Sequence, residues 1–386
     1  MLEIWSKIVE FFQDSGIYYI FTQVDGWKYV VMIFLSLFLL YLAIFKHFEP
    51  YLLLPISIGM LIANFPGVSE YVFQKNIDGT YSGLFGVLYA GVQYEIYPCL
   101  IFFGIGATTD FGPLIANPKL MLLGAAAQIG IFLTFVAACA FGFTAGEAAS
   151  IGIIGGADGP TAIMITTNLA PHLLSTVSLA AYSYMALIPF IQPPVIKALT
   201  TKKERQIKME QVRDVSKLEK IVFPIIITII SIILVPTAGP LIGCLMFGNI
   251  IKESGVVPNL VKSCSDVILY IVNILLGLCI GASTDAATFL TFDTLKIFGI
   301  GIVAFVFATA TGVIGGKIMC WATHGKVNPM IGAAGVSAVP MAARVVQIEG
   351  QKEDPSNFLL MHAMGPNVAG QIGTAIVAGI FLSFLA

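Results

Sequence analysis

The sequence predicts an all-α polytopic membrane protein in which two inverted-topology repeats, with broken helices and re-entrant hairpins, meet near the bilayer midplane. Three observations predict it. Hydrophobic residues make up 57% of the 386-residue chain and charged residues 11%, against about 25% charge in a soluble domain. Near-continuous apolar runs at 29–45, 120–143 and 221–235 approach the roughly 20 residues that cross a hydrocarbon core. The two halves of the chain also echo each other. This composition, with a mean hydropathy of +0.90, excludes a disordered chain, a nucleic-acid-binding protein and a secreted disulfide scaffold. The net charge of −2 matters less than where the few charges sit.

In chain order, residues 1–28 form an interfacial segment. Ile4, Trp5, Ile8, Val9, Phe11 and Phe12 predict an amphipathic helix lying at the membrane surface, and no basic stretch leads into an apolar core as in a signal peptide. N-terminal transmembrane segments occupy 29–94, and a first repeat 95–199. A charged linker follows at 200–220, holding seven of the twenty basic residues, and the positive-inside rule puts it in the cytoplasm. It reads as a solvated connection, with a docking surface as the rival. A second repeat occupies 221–386. Cys99, Cys139, Cys244, Cys264, Cys279 and Cys320 have neither metal nor redox spacing and read as small buried apolar residues.

The repeat rests on an ordered pair of echoes. Gly106-Ala107-Thr108-Thr109-Asp110 returns as Gly281-Ala282-Ser283-Thr284-Asp285. Each precedes a long apolar helix, then a small-residue stretch opening on Ile154-Gly155 or Ile331-Gly332. From aspartate to glycine is 45 residues in the first copy and 47 in the second. Repeats of this kind in transporters are often inverted, with the site between them at the midplane. Asp110 and Asp285 read as caps of the segments that follow them.

Glycine and proline cluster where a membrane helix should not hold them. Residues 152–160 carry four glycines and a proline, and 325–335 three glycines and a proline. Broken backbone at membrane depth must face protein or a water-filled cavity. Tight helix contacts would explain the glycines but not Asp158 among them. An ionisable group there is costly and functional by default, and a carboxylate beside free carbonyls suits a hard cation or a proton. A helix-capping carboxylate is the rival. Asn328 and Ser337 offer neutral oxygens, as does Asn367 after the Gly365-Pro366 break. Tyr184 carries a phenol mid-helix. Arg344 either grips an anionic substrate or snorkels to the interface. No transition-metal cluster is legible, and no phosphate-binding glycine loop of the kind that would mark an ATP-driven protein.

These motifs carry a resemblance. Gly155-Gly156-Ala157-Asp158-Gly159-Pro160-Thr161 closely resembles a signature of the membrane β subunit of sodium-translocating, biotin-dependent decarboxylases acting on oxaloacetate, methylmalonyl-CoA or glutaconyl-CoA. Asn328-Pro329, Gly332, Ser337 and Arg344 look like a second signature, and Met364-Gly365-Pro366-Asn367-Val368-Ala369-Gly370 like a third. The similarity runs over nearly the whole chain.

The resemblance implies that this subunit decarboxylates carboxybiotin delivered from the cytoplasm, consumes a proton and drives sodium outward. It implies that Asp158 and Asn367 bind sodium. Tyr184 and Ser337 would serve a second sodium or the proton path, Asn328 and Gly332 would shape the site, and Arg344 would contact carboxybiotin. The implied cofactors are sodium and a biotin carried on another subunit. The implied partners are a carboxyltransferase (alpha) subunit, a biotin carrier subunit, a small single-span gamma or delta subunit and further β copies in a homotrimer. The implied location is a bacterial-type inner membrane, with no nucleic acid involved. A sodium-coupled carrier of a small organic anion needs the same inverted repeat, buried aspartate and cation site, and is the alternative from another class.

Overall fold

The computed structural model describes residues 5, 7, 16–22, 25–76 and 81–386. The amphipathic segment expected at 4–12 lies outside the described residues except at positions 5 and 7. Thirteen helices matter here: α1 Gly26–Phe45, α2 Pro50–Ala63, α3 Ile96–Thr108, α4 Met121–Ala140, α5 Ala145–Gly152, α6 Gly159–Leu169, α7 Leu174–Leu199, α8 Lys217–Leu234, α9 Gly239–Ser254, α10 Leu269–Ala282, α11 Phe292–Ala322, α12 Met341–Glu353 and α13 Leu360–Leu385. Among the described residues, six helices are long and apolar enough to cross a membrane, or seven if the bent pair Leu84–Gln93 and Ile96–Thr108 is one span. The protein is an all-α, multi-pass membrane protein. Helix α8 starts with Lys217, Glu219 and Lys220 in its first turn, behind a Ser216–Glu219 capping box, so its apolar part is residues 221–234.

The chain divides into two compact units, one of residues 1–97 with 270–296, the other of 98–269 with 297–386. In the first, α2 packs on α10 almost backbone to backbone. A Cβ on Gly281 would lie 2.1 Å from the Ile56 carbonyl oxygen, the small-residue contact that membrane helices use in place of a hydrophobic driving force. The Asn64 amide donates to the Thr284 carbonyl at 2.7 Å, and β1 (Gln74–Lys75) pairs antiparallel with β2 (Tyr81–Ser82).

The second unit holds the expected site residues. Helices α4 and α13 run parallel: Leu120 lies by Gly365, Gln128 by Thr374, and Phe135 stacks on Phe381 with centroids 5.3 Å apart. Helices α7 and α11 also run parallel, from Tyr184 and Phe298 to Leu199 and Lys317. Helix α4 lies against α11 in the opposite sense, with Ala126 at Gly315 and Gly130 at Ala308. Two hairpins enter this bundle. The first is α5 and α6, closed at its base by His172–Glu147 at 2.8 Å. The second is the 3₁₀ turn Pro329–Gly335 followed by α12.

The charged linker is fastened to the base of the second hairpin. Asn328 and Asn357 each donate to the carbonyls of both Arg205 and Ile207, at 2.9–3.3 Å. Arg205 pairs with Glu353 at 2.7 Å and Lys208 with Asp354 at 3.0 Å. Hydrogen bonds from Ser356, with Lys208 beside it, hold the Asp354 carboxyl down at about 2. The same face carries Glu349, buried between Lys197 and Lys352. Asp110 accepts from the Gly112 N–H at 2.9 Å, as a turn cap does, with Lys220 3.7 Å away.

Asn328 is therefore a clamp as well as a cap, since its Oδ1 accepts from Met330 N at 3.0 Å. Asn328→Ala removes both roles at a fully buried position, and the expected cost is about 1–3 kcal/mol. Asn328→Asp keeps the cap and loses the clamp. Trypsin cleavage within 202–213 should speed up severalfold in both variants. A clamp without weight would leave the Asp variant cleaved as slowly as the wild type.

Candidate functional site

The tips of the two hairpins meet inside the second unit. In the first, α5 ends in a 3₁₀ turn, Ile153–Gly156. Ala157 then takes a left-handed conformation, φ 54°, and Asp158 becomes the N-cap of α6, its Oδ1 accepting from Thr161 N at 3.2 Å. Pro160 stands in the first turn, where its missing N–H costs nothing. Capping and a site role therefore coexist at Asp158. Its other oxygen, Oδ2, accepts from Ser337 Oγ at 3.0 Å, and Ser337 N donates to the Gly156 carbonyl at 2.8 Å. Asp158 and Ser337 are each only 5% exposed. Gly159 leaves room for Tyr182, since a Cβ there would lie 2.1 Å from the tyrosine ring.

Helix α13 supplies a third wall. Asn367, Gln371 and Thr374 stand at i, i+4 and i+7, on one face. Asn367 Nδ2 donates to the carbonyls of Ala334 at 3.0 Å and Val336 at 2.7 Å, backbone that the broken second hairpin leaves without helical donors. Thr374 lies against Gly156 and donates to Gln128 Oε1 at 3.0 Å, while Gln128 Nε2 donates to the Gly370 carbonyl at 3.1 Å. What remains is an excess of acceptors. Asn367 Oδ1 and Gln371 Oε1 are buried and have no donor among the described residues. One carboxylate with surplus neutral oxygens and no soft ligand is a donor set for a hard cation. Among the described residues no group of three His, Cys, Asp or Glu could hold a metal ion.

The structure thus brings Asp158, Ser337 and Asn367 together and gives the other expected residues different places. The Tyr184 hydroxyl donates to the Phe298 carbonyl at 2.5 Å, and its ring packs on Gly301. Gly332 is a helix contact, since a Cβ there would lie 2.0 Å from the Gly312 carbonyl oxygen. Asn328 holds the linker at the hairpin base. Arg344 is exposed one turn into α12, close to the tip rather than at the base, with no ion pair among the described residues. Sequence reasoning missed Gln128, Gln371 and Thr374. Their only sequence signal is a polar side chain in an apolar helix, which does not say what it reaches.

Comparison with known proteins follows the same residues. Positions 28–385 match the family described as Na⁺-transporting oxaloacetate decarboxylase beta subunit. The chain is 51% identical to the methylmalonyl-CoA decarboxylase subunit beta of Propionigenium modestum, over 97% of this chain and 98% of that one. It is 52% identical to the glutaconyl-CoA decarboxylase subunit beta of Acidaminococcus fermentans, over 97% and 96%. It is 45% identical to the oxaloacetate decarboxylase beta chain of Haemophilus ducreyi, over 98% and 99%. With a match over nearly its full length and relatives of three substrate types at this identity, the chain belongs to the beta-subunit family of sodium-transporting decarboxylases.

Proposed function

We propose that this subunit decarboxylates carboxybiotin brought to it from the cytoplasmic side and uses the reaction to move sodium outward, taking up a proton. The observation that carries this reading is the junction of the two broken hairpins. A carboxylate, a hydroxyl and an undonated amide oxygen, from three separate elements, converge there in a buried space. The two halves form an inverted pair, a reading supported by the antiparallel course of α4 and α11, the equivalent helices that follow Asp110 and Asp285. The linker at 200–220 then faces the cytoplasm of a bacterial-type cell, and so does the base of the second hairpin that it grips.

The roles follow from chemistry. Asp158, Asn367 and Ser337 bind the ion, the carboxylate supplying charge and the others neutral oxygen. Arg344, exposed and unpaired near the tip, holds the carboxylate of the carboxybiotin headgroup. Loss of CO₂ leaves the bonding electrons on the ureido nitrogen, which takes a proton, and Tyr184 lies on the path that supplies it. Moving one charge against 100 mV costs about 2.3 kcal/mol. Coupling requires that the reaction and the change of access depend on each other, and a junction shared by two hairpins lets one movement serve both. A carboxyltransferase, a biotin carrier and a small single-span subunit complete the complex, with β as a trimer. The parent substrate is chosen by the carboxyltransferase.

Three outcomes test this. Asp158→Asn keeps the size of the side chain and removes its charge. It should abolish sodium-dependent decarboxylation of free carboxybiotin in reconstituted vesicles while the protein still folds, and near-normal sodium dependence would sink the assignment. Ser337→Ala should raise the half-saturating sodium concentration by the equivalent of ~1–3 kcal/mol and leave residual turnover; an unchanged titration removes Ser337 from the site. Arg344→Lys keeps the charge and loses the paired N–H fork. It should raise the apparent KM for carboxybiotin more than about tenfold, some 1.4 kcal/mol, with sodium affinity near normal. A normal KM with poor sodium binding would move Arg344 to the ion path.

A further inference from the structure

Gln192 repeats the chemistry of Asn367 from the other half of the chain. It lies on α7 and is fully buried, 0% exposed. Its Nε2 donates to the Ala333 carbonyl at 2.9 Å. A carbonyl only accepts, so this bond fixes which end of the amide faces the hairpin. The Oε1 is left buried with no donor among the described residues. Asn367 does the same from α13, spending its NH₂ on Ala334 and Val336 and leaving Oδ1 undonated. Two amides from different repeats therefore grip successive carbonyls of one broken turn. Each keeps an acceptor that nothing among the described residues satisfies.

A buried acceptor without a partner is costly, and two at one turn ask for a shared explanation. A merely structural amide gains nothing from a buried oxygen left without a donor from the described residues. A monovalent cation supplies the missing partner, and neutral oxygens bind it loosely enough to let it leave, as transit requires. We propose that Gln192 Oε1 is a sodium ligand at the turn of the second hairpin, so that the ion path is lined by α7 as well as by α13. This rests on the sodium-transport reading above. It adds a residue that neither the glycine motifs nor their aspartate point to.

The test uses the intact complex in detergent. Sodium-dependent thermal stabilisation, with choline as the control salt, is read beside the sodium titration of carboxybiotin decarboxylation. Gln192→Leu removes donor and acceptor, whereas Gln192→Glu keeps an acceptor oxygen and loses the donor to Ala333. A ligand role predicts that Gln192→Leu raises the half-saturating sodium at least tenfold and shrinks the thermal stabilisation. Gln192→Glu should stay within threefold of the wild type. A purely structural role predicts that both variants lose turnover alike with no shift in sodium dependence, and that result overturns the inference, as does an unshifted Gln192→Leu. Should the leucine variant fail to assemble, Gln192→Lys takes its place, keeping a donor for Ala333 without the oxygen. A wild-type complex showing no sodium-dependent stabilisation or turnover overturns the transport reading itself. A responsive wild type beside an unshifted variant overturns only the assignment of Gln192.

Discussion

The constraint on which the rest depends is that backbone broken inside a membrane must find partners within the protein. Both hairpins of the second unit stop being helical where they meet, and four of the carbonyls there are answered by particular partners. The Gly156 carbonyl takes the Ser337 N–H. The carbonyls at 333, 334 and 336 take side-chain amides from α7 and α13. The carbonyls of the second hairpin at 333, 334 and 336 are thus held by side-chain amides reaching in from neighbouring helices, and that of Gly156 in the first by the backbone of the second. That arrangement is expensive in specificity, because each amide must be at one place. It also forces the outcome that makes a site: every amide that gives its NH₂ to a carbonyl brings an oxygen along with it.

Asp158 turns this surplus into function. Alone, a carboxylate at membrane depth costs several kcal/mol. Here it receives two hydrogen bonds, from Thr161 N and Ser337 Oγ, which offset part of that cost without neutralising the charge. Among the described residues no lysine or arginine pairs with Asp158. The same group caps α6, so occupancy of the carboxylate and the fold of the first hairpin are linked. Its partner Ser337 belongs to the second hairpin. On the proposed reading, an ion at Asp158 would act on both hairpins at once, which is the physical requirement for coupling a distant chemical step to a change of access.

How much of this was legible in the sequence differs by element. The all-α membrane class followed from composition, and the aspartate among glycines stood out because a charge in an apolar segment is rare. Helix breaks were readable from Gly and Pro for the same reason. The partners of the break were not readable. Gln128, Gln192 and Gln371 sit in segments that look like ordinary spans, and a glutamine's role depends on which carbonyl it reaches across the bundle, which periodicity does not encode. Asn328 was read as part of the site because its motif is, yet its amide reaches the linker carbonyls 121 and 123 residues away. Spacing along the chain cannot distinguish the base of a hairpin from its tip when both lie in one short motif.

That distinction gives the linker its meaning. The linker is largely solvent-exposed, yet residues 205–208 are tied to the second hairpin by two asparagines and two ion pairs. The exposed Lys208–Asp354 pair alone contributes little; the mostly buried Arg205–Glu353 pair and the buried Asn328 and Asn357 amides are what fix the register. The base of the second hairpin is therefore anchored to the end of α7 through Lys197–Glu349 and to the linker, while its tip is held by Asp158 and Asn367. A segment fixed firmly at its base and by a few hydrogen bonds at its tip yields most readily at the tip, where the proposed ion site lies. On that reading, movement at the tip would change the ligands of the cation without unfolding the hairpin, so the rigid base and the polar tip serve one requirement.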